Sequence, residues 1–304
     1  MFKKILIPLD GSLRSEQALN LVSKLFPAEE RTIILLEATG DSNIAYPIYG
    51  AGVDGYAQMI PEYKKQQVDE YVQAVTAETR AWAPEVVGYS VVGQPDEAIV
   101  EVAKKEEVDL IVMVTHGYGA LERLLLGSVT EKVIRDAPCP VFAIRDGHVP
   151  THMLITLDGT PFAEKILEPA FALARLIKAD VTLTRVDVPA DDLDMREVDA
   201  LSVIDRELAD TLLVHHNSRS EFYLDDLRQR FLTNDDEEIE INIDYDVDYG
   251  KPGRQLPKVA KRHNCDLIAM ATHGRKGIKR FFNRSVTEEV MHQTETAMLV
   301  LHPD

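Results

Sequence analysis

Short apolar runs alternate with amphipathic stretches along the whole chain. The runs fall near residues 3–9, 31–38, 85–92, 109–114 and 140–144, and again near 152–157, 180–187, 239–248, 266–271 and 297–301. Some, such as Leu110-Ile-Val-Met-Val114 and Leu267-Ile-Ala-Met-Ala271, are apolar at every position, the pattern of a strand buried on both faces. Between the runs, apolar residues recur at helical spacing: Ala18, Leu19, Leu21, Val22 and Leu25 in one place, Ile166, Leu167, Ala170, Phe171, Ala174 and Leu176 in another. Strand and helix in alternation imply right-handed crossovers and a parallel sheet. The expected fold class is therefore α/β, with open, parallel, Rossmann-like five-stranded sheets carrying helices on both faces. Ligands of such sheets bind in the crevice at the carboxyl ends of the strands.

The pattern occurs twice. The first copy opens Lys4-Ile-Leu-Ile-Pro-Leu-Asp-Gly-Ser12 and the second His152-Met-Leu-Ile-Thr-Leu-Asp-Gly-Thr160, each an apolar strand ending in Asp-Gly and a hydroxyl residue. The hydroxyl can satisfy free N–H groups at the start of the helix that follows. Gly93-Gln94-Pro95 recurs as Gly250-Lys251-Pro252, Thr115-His116-Gly117 as Thr272-His273-Gly274, and Ser128-Val129-Thr130-Glu131 as Ser285-Val286-Thr287-Glu288. The later landmarks are spaced more widely than the first, so the second copy carries extra residues somewhere before Gly250. The expected domains are residues 1–147 and 151–304, joined by the short polar linker Arg145-Asp-Gly-His-Val-Pro-Thr151.

Composition narrows the function. The 304 residues are enough for two cores, and the apolar start Ile5 to Leu9 is cut by Asp10 far too early for a signal peptide. With no run of roughly 18 apolar residues elsewhere, the expected setting is cytoplasmic, with no membrane association. A net charge of −18 opposes a phosphate backbone, so nucleic acid is not expected as a partner. Residues 191–248 hold most of that charge, which reads either as a solvated helix-and-loop segment or as a docking surface for a basic partner. Cys139 and Cys265 stand at non-equivalent places in the two copies and are expected to be reduced, structural thiols.

The segment Thr115 to Thr130 carries the most chemistry. It leaves a buried strand near one glycine, Gly117, and starts a helix at another, Gly127-Ser128. A helix start presents unpaired N–H groups and about half a positive charge, and glycine lets an anion come close. Ser128 adds a hydroxyl donor. The same residues also make a plain helix cap, and Asp10 and Asp158 also read as carboxylates that serve a helix start.

The strand end Pro8-x-Asp10, the Gly93-x-Pro95 turn, and Thr-His-Gly117 followed by Gly127-Ser128-Val129 together resemble the universal stress protein family, in its tandem form and over both halves. In members that bind ATP, a glycine-rich loop holds the phosphates and an aspartate ending the first strand lies near the nucleoside. The resemblance implies Pro8 and Asp10 beside the nucleoside, the main chain near Ala38 on the adenine edge, and Gly117, Gly127, Ser128 and Val129 on the phosphates. ATP, or ADP or AMP, is the implied ligand, with Mg²⁺ accompanying the nucleotide and no metal site of the protein's own. Val114 replaces the first glycine of the family's loop. In the second half Ala271, Thr156 and Arg284 replace three family residues, while Asp158, Gly274, Ser285 and Val286 remain; a weaker or empty second site is expected there. The resemblance also implies that the last apolar strands, Val141 to Ile144 and Met298 to Leu301, pair edge to edge so that the halves form a pseudo-dimer, leaving room for a homodimer beyond it.

Other signals carry less. Gly50-Ala-Gly-Val-Asp-Gly55 matches a dinucleotide fingerprint in letters, but no strand directly precedes it; a loop, or a lid over the first site, is expected. No P-loop is present. His116 and His273 read as turn residues, and His148, His152, His215 and His216 lack the pattern of a zinc site. No nucleophile stands with an orienting base, so no catalytic residue is assigned and hydrolysis is at most slow. The expected function is that of a stress-response nucleotide binder acting as a regulator through an unknown protein partner. The alternative is a nucleotide-independent scaffold that uses the acidic segment.

Overall fold

The computed structural model describes residues 1–26, 31–40, 54–115, 127–187, 206–233, 241–272 and 285–303. They divide into two compact units, residues 1–149 with 300–304, and residues 150–299.

The first unit contains β1 (Lys4–Leu9), α1 (Gln17–Leu25), β2 (Thr32–Ala38), α2 (Asp54–Thr79), β3 (Glu85–Val91), α3 (Pro95–Lys105), β4 (Leu110–Val114), α4 (Ser128–Asp136) and β5 (Val141–Ile144). The strands lie in the order β3-β2-β1-β4-β5, all parallel. Neighbouring positions of β1, β2 and β4 are all buried, from Ile5 to Ile7, Ile33 to Leu36 and Leu110 to Met113, so both faces of the sheet are covered. α2 packs on β2 and β3, α1 on β4, and α4 on β5. Gly88 of β3 is where α2 comes closest, with Thr76 and Val72 occupying the space a Cβ would need.

The second unit follows the same plan with β6 (His152–Leu157), α5 (Pro161–Glu164), α6 (Leu167–Ile177), β7 (Asp180–Asp187), α7 (Arg206–Thr233), β8 (Ile243–Tyr249), α8 (Pro252–Arg262), β9 (Leu267–Ala271), α9 (Val286–Gln293) and β10 (Ala297–Leu301). Its parallel pairs are β6 with β7 and β9, and β7 with β8, and β10 adjoins β9. The strands expected from the apolar runs are found within one or two residues of the expected limits, apart from β8, which begins at Ile243. The acidic stretch contributes α7 and β8 among the described residues.

In both units the chain order reverses on either side of the first strand, and there the two units differ. β1 pairs with β2 out to Leu9↔Glu37, but its register with β4 stops at Leu6↔Ile111. One further step along that ladder needs an N–H at residue 8, and Pro8 has none. The second unit has Thr156 at this place, and β6 with β9 runs one pair further, to Ile155↔Ala269. Pro8 thus ends the β1–β4 ladder one pair early, at the end of the sheet where a parallel sheet takes its ligands.

Both cysteines are buried with free thiols, outside any disulfide. Burial pushes each thiol up to about 12. Among the described residues no helix is long and apolar enough to cross a membrane, and no group of three His, Cys, Asp or Glu is placed to hold a metal ion. Gly50 to Val53, His116, Gly117, His273, Gly274 and Arg284 lie outside the described residues.

Candidate functional site

A cavity of about 400 Å³ opens at the carboxyl ends of β1 and β2. Its walls are Asp10 and Gly11 after β1, Glu37, Ala38 and Thr39 at the end of β2, and Lys64, Gln67, Val68 and Tyr71 from α2. Two residues expected at a nucleoside, Asp10 and Ala38, therefore stand in one crevice.

Asp10 is held by a local turn. Its Oδ1 accepts from the Ser12 N–H at 3.0 Å and from the Ser12 hydroxyl at 2.6 Å. The Ser12 hydroxyl in turn accepts from the Ser15 N–H at 3.1 Å. Gly11, at φ +74°, takes the left-handed conformation that this turn requires. Asp158 does the same in the second unit, accepting from the N–H and hydroxyl of Thr160, which caps α5 through the Ala163 N–H. Serving a helix start is thus a real task of both aspartates. It uses one carboxylate oxygen, and Asp10 Oδ2 has no hydrogen-bond partner among the described residues.

Ala38 offers its main chain. The Thr32 N–H donates to Lys3 O on the β1 side, and the Thr39 N–H donates to Val91 O on the β3 side. Alternation along a strand turns the N–H and C=O of Ala38 toward β1, where that strand has just ended.

Sequence reasoning missed Glu37, the charged residue closing the apolar run of β2. Its Oε2 is buried without a hydrogen-bond partner among the described residues. Burial, with repulsion from Asp10 added, pushes its carboxyl up to about 7. The signal was available: a carboxylate directly after Ile33-Ile-Leu-Leu36 is out of place in a strand covered on both faces. Above it the Tyr71 hydroxyl donates to Glu16 at 2.9 Å, and burial followed by that bond drives the phenol upward.

The second unit keeps this frame and reverses one charge. Tyr223 donates to Glu164 at 3.1 Å, as Tyr71 does to Glu16. Register places Arg185 beside Leu157 as Glu37 lies beside Leu9. Arg185 Nε donates to Oδ1 of buried Asp187 at 2.7 Å, and Ser220 donates to the other oxygen of Asp187 at 2.6 Å. A Cβ on Gly159 would come within 2.5 Å of the Arg185 guanidinium, so this side chain fills the approach to the Asp158-Gly159 turn.

The helix starts differ as well. α4 begins at Ser128 with Gly127 as its cap residue, and the Gly127 N–H donates to Thr115 O, at the end of β4, at 2.7 Å. The start of α4 thus stands at the carboxyl end of β4, beside β1. The Ser128 hydroxyl is exposed and makes no hydrogen bond among the described residues, while Val129 is half-buried in the same first turn. Ser285, by contrast, is itself the cap of α9. Its hydroxyl accepts from the Glu288 N–H at 3.1 Å and the Glu288 side chain accepts from the Ser285 N–H at 3.3 Å. The plain-cap reading describes Ser285; Ser128 is not used that way. Val286 begins α9 and is exposed.

The profile of the universal stress protein family matches residues 1–145 and again 151–302. The chain belongs to that family. A universal stress protein of Methanocaldococcus jannaschii is 36% identical over 149 residues, covering 48% of this chain and 83% of its own length. One of Mycobacterium tuberculosis is 28% identical over 214 residues, 68% of this chain and 65% of that protein. The crystal structure of a universal stress protein from Archaeoglobus fulgidus aligns over 99% of both chains with a TM-score of 0.64 at 18% identity, a likeness of fold. The two family matches fall on the two copies read from the sequence, so this is the tandem form.

Proposed function

We propose that this universal stress protein binds one adenine nucleotide, ATP with its Mg²⁺, in the first-unit crevice, and that the bound nucleotide regulates its contacts with a protein partner in the cytoplasm. The observation that carries the reading is the cavity at the carboxyl ends of β1 and β2, with Asp10 and Ala38 in its wall. Its volume falls within the range of about 300–1,000 Å³ typical of small-molecule pockets. Gly127, Ser128 and Val129 would receive the phosphates. The first-turn N–H groups of α4 lie beyond the reach of the helix's own carbonyls, the Ser128 hydroxyl makes no hydrogen bond among the described residues, and a Cβ at Gly127 would press on Thr115 O at 3.0 Å. Gly117 would complete the phosphate loop, with Mg²⁺ held by phosphate oxygens and water. No group in the crevice is assigned a catalytic step.

The second-unit residues Asp158, Gly274, Ser285 and Val286 are the equivalent set, and we propose that they hold nucleotide weakly or not at all. Two observations support this: Arg185 lies across the Asp158-Gly159 turn, and the Ser285 hydroxyl is committed to its capping box.

Native mass spectrometry with and without Mg-ATP, on the wild type and on Asp10→Ala, tests the proposal. The expected result is one nucleotide per chain, lost in the variant. Two tightly held nucleotides would refute the reading of the second unit. None in the wild type would refute nucleotide binding and leave the scaffold reading, in which α7 and its exposed Phe222 supply the contact surface.

A further inference from the structure

Glu37 is a half-buried acid whose Oε2 is buried with no hydrogen-bond partner among the described residues. Carboxylate oxygens out of contact with water are ordinarily hydrogen-bonded, because an unmet one costs its full desolvation. Oε2 of Glu37 has no such bond among the described residues, and the side chain stands on the wall of the cavity beside Asp10. Gly11 lies against it: a Cβ there would sit 3.6 Å from Oε1.

The second unit shows that this acid is not required to build the fold. At the same register position it carries Arg185, under a matching Tyr–Glu pair, and the arginine is neutralised within its own unit by Asp187. The two units therefore differ in whether this position is satisfied from inside. In the first unit the unmet acceptor, Oε2, belongs to a side chain of the cavity wall and has no hydrogen bond among the described residues, so a ligand would reach it through a small rotation of the carboxylate; in the second unit Arg185 Nε already donates to Asp187.

We infer that Glu37 is a specificity-determining residue of the first-unit crevice, where its carboxylate accepts a hydrogen bond from an N–H or O–H donor on the nucleoside part of the ligand. This rests on the nucleotide reading above and adds to it a side chain that discriminates among nucleotides. Glu37 immediately precedes Ala38, so its carboxylate and the main-chain groups of Ala38 come from adjacent residues at one strand end. Two nucleoside groups have the required chemistry, the exocyclic amine of the base and the ribose hydroxyls.

The test is titration calorimetry of the full chain with Mg²⁺ and ATP, purine riboside triphosphate or 2′,3′-dideoxy-ATP. The purine riboside nucleotide lacks the amine and the dideoxynucleotide lacks both ribose hydroxyls, so the two arms separate the two sources. A site built around a donor rejects an analogue that lacks it, and the expected discrimination is about tenfold or more against one of the two analogues. Glu37→Ala should reduce that ratio to within about twofold, while Glu37→Gln, which keeps an acceptor oxygen, should retain part of it. Circular dichroism of each variant confirms that it is folded. Wild-type ATP binding with no discrimination, or discrimination unchanged in Glu37→Ala, overturns the inference and leaves the nucleotide site standing. No binding of any of the three by wild type overturns both.

Discussion

Replacing Glu37 with glutamine should stabilise the first unit, and by an amount that depends on pH. Its carboxyl rises from 4.5 to about 7 on folding, because burial and the nearby Asp10 disfavour the charged form. Lys64, Tyr71 and Gln67 of α2 and Gly11 after β1 share the same cavity wall. The folded protein thus holds a proton that the unfolded chain has released between those two values. Stability falls as pH rises through this window and reaches its full cost above about 7. At 1.36 kcal/mol per pH unit the upper bound is about 3 kcal/mol, which partial solvent access reduces to about 1–2 kcal/mol. Glu37→Gln removes the ionisation, so its advantage should be largest at pH 8.5 and roughly halved at pH 5.5. Urea denaturation read by the fluorescence of Trp82, the single tryptophan, reports on the first unit alone. An advantage that is constant across pH, or that grows toward acid, would refute the assignment of a raised, unpartnered carboxyl.

Three other outcomes are expected. Gly88→Ala should cost about 1–3 kcal/mol in the same Trp82 experiment, since its Cβ would meet Thr76 Oγ1 at 2.6 Å and Val72 Cγ1 at 2.7 Å. Ser285→Ala should cost about 0.5–2 kcal/mol through the loss of its capping box, and the equivalent Ser128→Ala almost nothing in thermal melts; equal losses would contradict the different use of the two serines. Cys139 and Cys265 should resist a thiol reagent at pH 8 in the native protein and react on unfolding, because burial holds both thiols near 12.

The strands were legible because burial on both faces leaves a local mark, an unbroken apolar run, and the doubling was legible because two copies share landmarks. Asp10, Ala38 and Gly127 were found through motifs that resemble a known family. Glu37 has no motif. Its meaning depends on Arg185 at the same register position, on the turn at Gly11 and on Tyr71 from α2, none of which adjoins it in sequence. The serines at 128 and 285 read alike, and only cap geometry separates them: α4 starts with glycine as its cap, α9 with the serine itself.

By itself the sequence determined the α/β class, the two copies, the strand positions and the Asp-Gly turns, because these follow from side-chain periodicity and from conformations set within a few residues. The tertiary structure decided which residues face one another. Pairing of β1 with β4 joins segments about a hundred residues apart, and pairing of β1 with β2 brings Asp10 beside Glu37 and Ala38 in the wall of the crevice. It also decided that an acid has no hydrogen bond to its Oε2 among the described residues of one unit while an arginine lies across the equivalent turn of the other, since hydrogen-bond satisfaction belongs to neighbours in space and carries no periodic signature along the chain.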